Sequence, residues 1–442
     1  MQHVPRPTAA QTVTQTVCCP RSRERRLSWS GHRSRFDSNR MRLLNSGNIK
    51  PKILFVVTED WFFLTHRLAL AKYVRDLGFD VFVATSPGRL RQSIEKEGLI
   101  FVPLLLRRNS KNPFHELMSI LQLTALYRRI RPDLVHHVAL KPVMYGSIAA
   151  KFARRPGVVN AVTGLGYTFV GGSLRKRLMR KFLEFGCIFA LSGSRSRVIF
   201  QNPDDRDLFM RKGLVESFRC SLILGAGVDT RRFSPSPEPP GTPVILFPSR
   251  MIWEKGPGEV AAAARILKRR GIDFRVVLAG RIDFGNPSSI SEAQLNRWRD
   301  EGVADWLGHV DDMPGLYASS HIVCLPTYYR EGIPLALIEA ASSGRPVVTT
   351  DSPGCREIVR HNVNGLLIPP RDTQALADAL QMLLENASLR KEMGRSGREI
   401  CCRSFAKETV IRQTVEVYKA ALDGKWPASF VSPRRLHSVP NI

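Results

Sequence analysis

Short, wholly apolar runs alternate with longer stretches in which apolar positions recur every three or four residues, from residue 52 almost to the end of the chain. A short run apolar on both faces marks a strand buried inside a parallel sheet, and the amphipathic stretch marks the helix that covers it. The pattern predicts strands at 52–58, 80–85, 99–105, 133–137, 158–162 and 198–202. Helices are expected between them at 62–77, 90–97, 114–129, 141–152 and 204–212. The segment 234–241, Ser-Pro-Ser-Pro-Glu-Pro-Pro-Gly, interrupts the alternation as a stiff connection. Beyond it strands are expected at 244–248, 274–279, 303–307, 321–325, 346–350 and 365–368. Helices are expected at 258–269, 291–301, 313–319, 335–341, 373–385, 389–405 and 406–422, with a helical turn at 355–359.

Alternating strands and helices on both sides of a Pro-rich break predict two Rossmann-like α/β domains facing each other across a cleft. The expected organisation is a disordered basic leader over 1–49, a first α/β domain over 50–233, and a linker over 234–241. A second, nucleotide-binding domain follows over 242–405, then a helix over 406–423 that returns to the first domain, and a tail over 424–442. Met41, close before the first strand, is a candidate natural start.

Charge changes the picture next. The 442 residues carry a formal net charge of +27, which calls for an anionic partner: nucleic acid, an acidic membrane face or phosphorylated substrates. Residues 1–50 hold ten Lys and Arg against two acids, so about +8 of the excess is local. The segment 174–185 places Leu174, Leu178 and Phe182 on one helical face and Arg175, Lys176, Arg177, Arg180 and Lys181 around the rest. It suits a core helix with a solvated basic face or a helix lying on an anionic membrane. Arg107-Arg108, Arg128-Arg129 and Arg154-Arg155 add to the basic surface. The eight cysteines have no metal-ligand spacing and are expected to be reduced. No uncharged apolar run approaches the roughly 18 residues of a membrane span.

The candidate chemistry centres on Tyr329-Arg330-Glu331-Gly332-Ile333-Pro334-Leu335-Ala336-Leu337-Ile338-Glu339. An apolar strand precedes it, Gly332 and Pro334 mark a tight turn, and Pro334 stands where a first helical position would be. A strand, a turn and a helix start make an anion site outside the strand's carboxyl end. Alone, two glutamates eight residues apart also fit a capped helix with a solvated face. Arg250 and Lys255, in the loop after the strand at 244–248, supply cations for a diphosphate on that turn.

These residues carry a resemblance. The runs PSRMIWEKG at 248–256, REGIPLALIEAASSGRPVVTTDSPGCREIV at 330–359, GAGVD at 225–229 and FQNPDD at 200–205 resemble the family 4 retaining glycosyltransferases of the GT-B fold. The resemblance covers about residues 52–422. The runs TEDWFFLTHRLALAKYVRDLGFDVFVAT at 58–85, HHVALKPVMYGSIAA at 136–150 and NAVTGLGYTF at 160–169 are similar to the bacterial subgroup that extends polyprenyl-diphosphate-linked sugars, N-acetylgalactosaminyltransferases among them.

The resemblance implies a metal-independent hexosyltransferase with a UDP-sugar as donor and no cofactor. Arg250 and Lys255 would hold the donor diphosphate, backbone amides of Gly332, Ile333, Pro334 and Leu335 would bind phosphate, Glu331 would position the donor sugar and Glu339 the ribose. Glu331, Lys255 and Arg250 would carry catalysis. Many family members carry a histidine after the fifth strand, where this chain has Thr163-Gly164. Acceptor or sugar contacts are expected from Asp60, His136, His137, Thr163 and Gly164, and loops 281–291 and 163–172 are expected to set sugar choice.

The expected partners are a nucleotide-sugar, a lipid-linked saccharide and an anionic membrane surface, with no nucleic acid. The expected location is the cytoplasm, peripheral on the inner face of the plasma membrane. A soluble acceptor or a UDP-sugar epimerase stays open as an alternative. A nucleic-acid-binding protein is the alternative of another class, but the aromatics are not interleaved with the basic runs.

Overall fold

The apolar runs become two all-parallel sheets in the computed structural model, which describes residues 50–88, 90–106, 112–153, 156–164, 184, 186–424 and 426. The leader, Arg107-Arg108, Arg154-Arg155, the basic segment 174–185 apart from Glu184, most of the loop 163–172, and the tail after 426 lie outside the described residues. Strands β1 (Lys52–Val56), β2 (Asp80–Thr85), β3 (Ile100–Pro103), β4 (Leu134–Val138), β5 (Gly157–Val162), β6 (Ser196–Phe200) and β7 (Cys220–Leu222) form the first sheet. Its order is β3-β2-β1-β4-β5-β6-β7. Strands β8 (Val244–Pro248), β9 (Arg275–Ala279), β10 (Asp305–Trp306), β11 (Ile322–Leu325), β12 (Val347–Thr350) and β13 (Gly365–Ile368) form the second, in the order β10-β9-β8-β11-β12-β13. Every neighbouring pair is parallel.

Strand alternation explains why the runs are apolar throughout. Ile53 and Phe55 of β1 pack with Phe63, Leu70 and Val74 on one face, and Leu54 and Val56 pack with Leu123 and Tyr127 on the other. Both faces are covered, as parallel sheets require, and each large side chain so buried contributes about 1.5–3 kcal/mol. The second sheet has its own core, built on Ile245, Phe247, Val323 and Val347. The last helix, Lys407–Leu422, leaves that lobe and lays Val410, Val415, Tyr418 and Leu422 into the core of the first. Residues 234–241 are strapped down: Arg345 Nη2 donates to Ser236 Oγ at 2.8 Å, and Arg390 pairs with Glu238 at 2.9 Å.

Four local expectations change. The helix expected at 62–77 is two helices, Asp60–His66 and Leu68–Asp76, broken where Arg67 leaves the helical region at φ −131° and ψ −11°. β7 was not foreseen, because three residues of Cys, Ser and Leu make no apolar run. Pro334 caps the helix Leu335–Ser342 in extended conformation, φ −62° and ψ 120°, and is not its first turn. The fourth strand runs one residue past His137, to Val138, with both histidines inside it.

Both sheets reverse strand order once, between β1 and β4 and between β8 and β11. Ligands of open parallel sheets bind outside the carboxyl ends at such a switch point.

Candidate active site

The loops that leave β8 and β11 meet at the switch point of the second sheet. The first carries Arg250 and, in the short turn Trp253–Lys255, Lys255. The second carries Thr327 and Glu331. Lys255, its side chain 7% exposed, pairs its ammonium with the Glu331 carboxylate, and Thr327 Oγ1 donates to the same oxygen at 3.4 Å. Arg250 pairs with Asp283, which also accepts from Asn286 Nδ2 at 3.2 Å. The two cations expected to hold a diphosphate therefore share one loop, each on an internal carboxylate. A buried ammonium without an anion costs several kcal/mol, and Glu331 answers the charge of Lys255.

Glu339 sits one turn into the helix Leu335–Ser342, with the Tyr317 hydroxyl 3.1 Å from Oε2. Burial raises its carboxyl to about 7, while the Tyr317 hydrogen bond and nearby Arg232 pull it down. Two of the four backbone positions expected to bind phosphate offer no free N–H. Pro334 has no N–H, and the Gly332 N–H donates to the Thr163 carbonyl at 3.0 Å. Ile333 and Leu335 remain as the donors of this turn.

Thr163 and Gly164 reach the turn through their backbone. Gly164 has φ +118°, and a Cβ there would lie 2.7 Å from the Glu331 carbonyl carbon. A Cβ on Gly332 would lie 1.9 Å from Gln201 Oε1. Only glycines let the loop after β5 and the turn after β11 touch. Two side-chain contacts reinforce this junction. Asn202 Nδ2 donates to the Glu331 carbonyl at 3.3 Å, and Arg330 pairs with buried Asp205 at 2.9 Å.

The other first-lobe candidates are tied to the protein itself. Asp60 accepts from the backbone of Trp61 at 2.7 Å and of Leu90 at 3.2 Å. His137 is fully buried, with Nε2 2.8 Å from the Tyr127 hydroxyl and Nδ1 2.7 Å from Asn160 Oδ1, so neither nitrogen is left for a ligand. Burial holds its imidazolium down, to about 4. His136 faces the opposite side of the sheet, stacked on Phe55 with Nδ1 against the Tyr418 hydroxyl. Sequence reasoning missed Asp283, Thr327 and Tyr317. Asp283 lies within the loop 281–291 named for sugar choice, but no spacing marks the other two.

The family described as Glycosyl transferases group 1 matches residues 229–400, and that described as Glycosyl transferase 4-like matches residues 52–202. The chain is a group 1 glycosyltransferase. It is 26% identical over 347 residues to the N,N'-diacetylbacillosaminyl-diphospho-undecaprenol alpha-1,3-N-acetylgalactosaminyltransferase of Campylobacter jejuni, covering 75% of this chain and 89% of the relative. It is 26% identical over 305 residues to the UDP-Gal:alpha-D-GlcNAc-diphosphoundecaprenol alpha-1,3-galactosyltransferase of Escherichia coli, covering 65% of this chain and 75% of the relative. The crystal structure of Anabaena Alr3699/HepE in complex with UDP and glucose superposes with a TM-score of 0.68 at 21% identity, covering 84% of this chain and 99% of that one. The glycosyltransferase thus has the GT-B fold.

Proposed function

We propose that this glycosyltransferase moves a hexose or an N-acetylhexosamine from a UDP-sugar onto a polyprenyl-diphosphate-linked sugar, with retention, at the cytoplasmic face of a membrane. The product would serve a cell-surface polysaccharide or glycan. The observation that carries this reading is the Lys255–Glu331 pair beside Arg250 at the switch point of the second sheet. Arg250 and Lys255 take the diphosphate, each charge-assisted bond being worth about 1.5–3 kcal/mol. Glu331, displaced from Lys255, turns to the donor sugar, and Glu339 accepts from the ribose hydroxyls. As the bond from the anomeric carbon to the diphosphate breaks, the cations collect the charge on UDP. The acceptor hydroxyl attacks from the same face and gives its proton to the departing phosphate oxygen. Catalysis is then mainly positioning and charge stabilisation.

Both curated relatives described above are named for sugars on diphospho-undecaprenol, which supports a lipid-linked acceptor. The complex of Alr3699/HepE with UDP and glucose supports a UDP-sugar donor. A surface feature supports the membrane. On the helix Pro113–Ile130, Phe114, Leu117, Met118 and Leu121 share one face and are 47–66% exposed. Large side chains exposed at that spacing fit an interfacial helix, and Arg128 and Arg129 at its end suit anionic headgroups. Among the described residues no helix is long and apolar enough to cross a membrane.

The test is a panel of UDP-sugars with a short polyprenyl-diphosphate-sugar acceptor, products read by mass. A gain of one hexose or one N-acetylhexosamine is expected. Transfer to soluble sugars alone, or epimerisation without transfer, would sink the acceptor assignment. Changing the four apolar residues to serine is expected to abolish co-flotation with anionic vesicles while sparing turnover of a detergent-dispersed acceptor. Unchanged flotation would remove the membrane role of that helix.

A further inference from the structure

The first lobe holds a charge that no described residue answers. Arg67, at the break between the helices Asp60–His66 and Leu68–Asp76, is 6% exposed. Its Nη1 donates to the His66 carbonyl at 3.0 Å, its Nε has no partner, and no carboxylate among the described residues pairs with it. His136, 1% exposed, is the second unusual group: Nδ1 meets the Tyr418 hydroxyl while Nε2 is buried with no partner. Both side chains line one cavity of about 20 Å³, walled by Leu70, Ile199, Ile223 and Val410.

The hydrogens can be placed by argument. Arg67 bears electrostatically on the Tyr418 hydroxyl. A cation beside that oxygen turns the hydroxyl proton away, onto His136 Nδ1, and leaves the imidazole proton on Nε2. Burial and Arg67 together keep His136 neutral. The cavity then offers one positive charge and two N–H donors. Water would accept from both donors, but it brings no charge and must place two protons of its own. An anionic oxygen answers both the charge and the donors.

The cavity also lies next to the nucleotide site. Gly225 and Ala226 form part of its lining, and a Cβ on Gly225 would lie 2.8 Å from Ile338 on the helix that bears Glu339. Lys255 is near enough to disfavour protonation of His66, another lining residue.

We propose that the Arg67–His136 cavity is an oxyanion subsite that takes one phosphate-type oxygen of a ligand in the cleft. The oxygen belongs to the nucleotide diphosphate or to the diphosphate of the acceptor. The choice between these two sources rests on the proposed function; the response of the cavity to inorganic phosphate does not.

Its test uses the full chain. In Lys255→Ala, where the donor site is crippled, inorganic phosphate is expected to raise the thermal midpoint saturably, and adding Arg67→Gln should abolish that rise. Arg67→Gln alone should not lower the midpoint in phosphate-free buffer, because it removes an unanswered charge; a purely structural arginine would lower it. By calorimetry, UDP binding at least about tenfold weaker in Arg67→Gln assigns the oxygen to the nucleotide. The same loss with a short polyprenyl diphosphate, and not with UDP, assigns it to the acceptor. A phosphate response that is the same with and without Arg67, or affinities unchanged for both ligands, overturns the subsite. Should Arg67→Gln fail to fold, Arg67→Lys keeps the charge without the fixed Nε–H. It is expected to lose part of the affinity, and full affinity would count against the proposal.

Discussion

At the scale of single residues, the site is defined by what its charged groups pair with. Lys255 is buried against Glu331, so Lys255→Ala removes the cation proposed to take the diphosphate and leaves the carboxylate alone. Glu331 keeps 20% side-chain exposure and can be solvated, so the fold should survive. Turnover is expected to fall about 10²–10³-fold, the usual cost of one oxyanion donor. Circular dichroism and steady-state rates check this, and near-wild-type turnover would refute the diphosphate role. Glu339 makes a pH prediction. With its carboxyl raised by burial to about 7, it is half-charged near neutrality. If ribose hydroxyls donate to the charged form, UDP affinity should fall as pH drops through about 7. The change is about tenfold between pH values of about 6 and 8, and it should vanish in Glu339→Gln. The stability sign is opposite. The folded state binds this proton more tightly than the unfolded one, so stability is lost as pH rises from the ordinary value of 4.5 through about 7. Glu339→Gln should therefore gain on the wild type as pH rises, read by denaturant titration. An identical pH dependence for both chains would argue against the raised carboxyl.

At the scale of elements, the strands were legible because a parallel strand buried on both faces leaves an uninterrupted apolar run, as Ile53 to Val56 does. Arg250, Lys255, Glu331 and Glu339 were legible as a candidate set through their spacing and the family resemblance, and the structure brings Lys255 and Glu331 into contact. What the sequence hid depends on approach between distant segments. Nothing local announces that Asp283 takes Arg250, that Tyr317 takes Glu339, or that β4 continues past His137 and so buries both histidines on opposite faces. The junction of the loop after β5 with the turn after β11 is of the same kind. Gly164 there has both a left-handed φ of +118° and no space for a Cβ beside Glu331. Gly164→Ala is expected to push the turn away from Lys255 and cut turnover by more than about tenfold, since small misplacements of reacting groups are costly. The loss should exceed that of a strain-free control such as Gly213→Asn, whose surroundings are open and whose φ of +64° asparagine tolerates. Equal losses in the two variants would mean that the contact with the turn is unimportant.

At the scale of the whole molecule, the two lobes are joined across the cleft as well as along the chain. The helix Lys407–Leu422 fixes the second lobe's C-terminus in the first lobe's core. On the cleft side, Arg330 of the second lobe reaches Asp205 of the first at 2.9 Å, immediately before Glu331. Asp205 is 1% exposed, and burial raises its carboxyl even with Arg330 pulling it down. Arg330→Ala removes that opposing charge, so the carboxyl rises further and Asp205 folds as an uncompensated buried acid. Breaking such a pair typically costs about 3–5 kcal/mol. The cost must depend on pH. A carboxyl raised above its unfolded value binds its proton more tightly when folded, so the variant loses stability as pH climbs through that interval and recovers it in acid. The gap between wild type and Arg330→Ala should therefore be wide at mildly alkaline pH and narrow in acid. Asp205→Asn, which needs no proton to be neutral, should show little of this dependence. A double-mutant cycle across the two positions is expected to give a coupling of about 1–3 kcal/mol, largest where Asp205 is charged. A coupling near zero at every pH would mean that the lobes meet without holding each other. The cleft would then have to be closed by the ligand alone, with Glu331 positioned by the diphosphate rather than by the junction beside it.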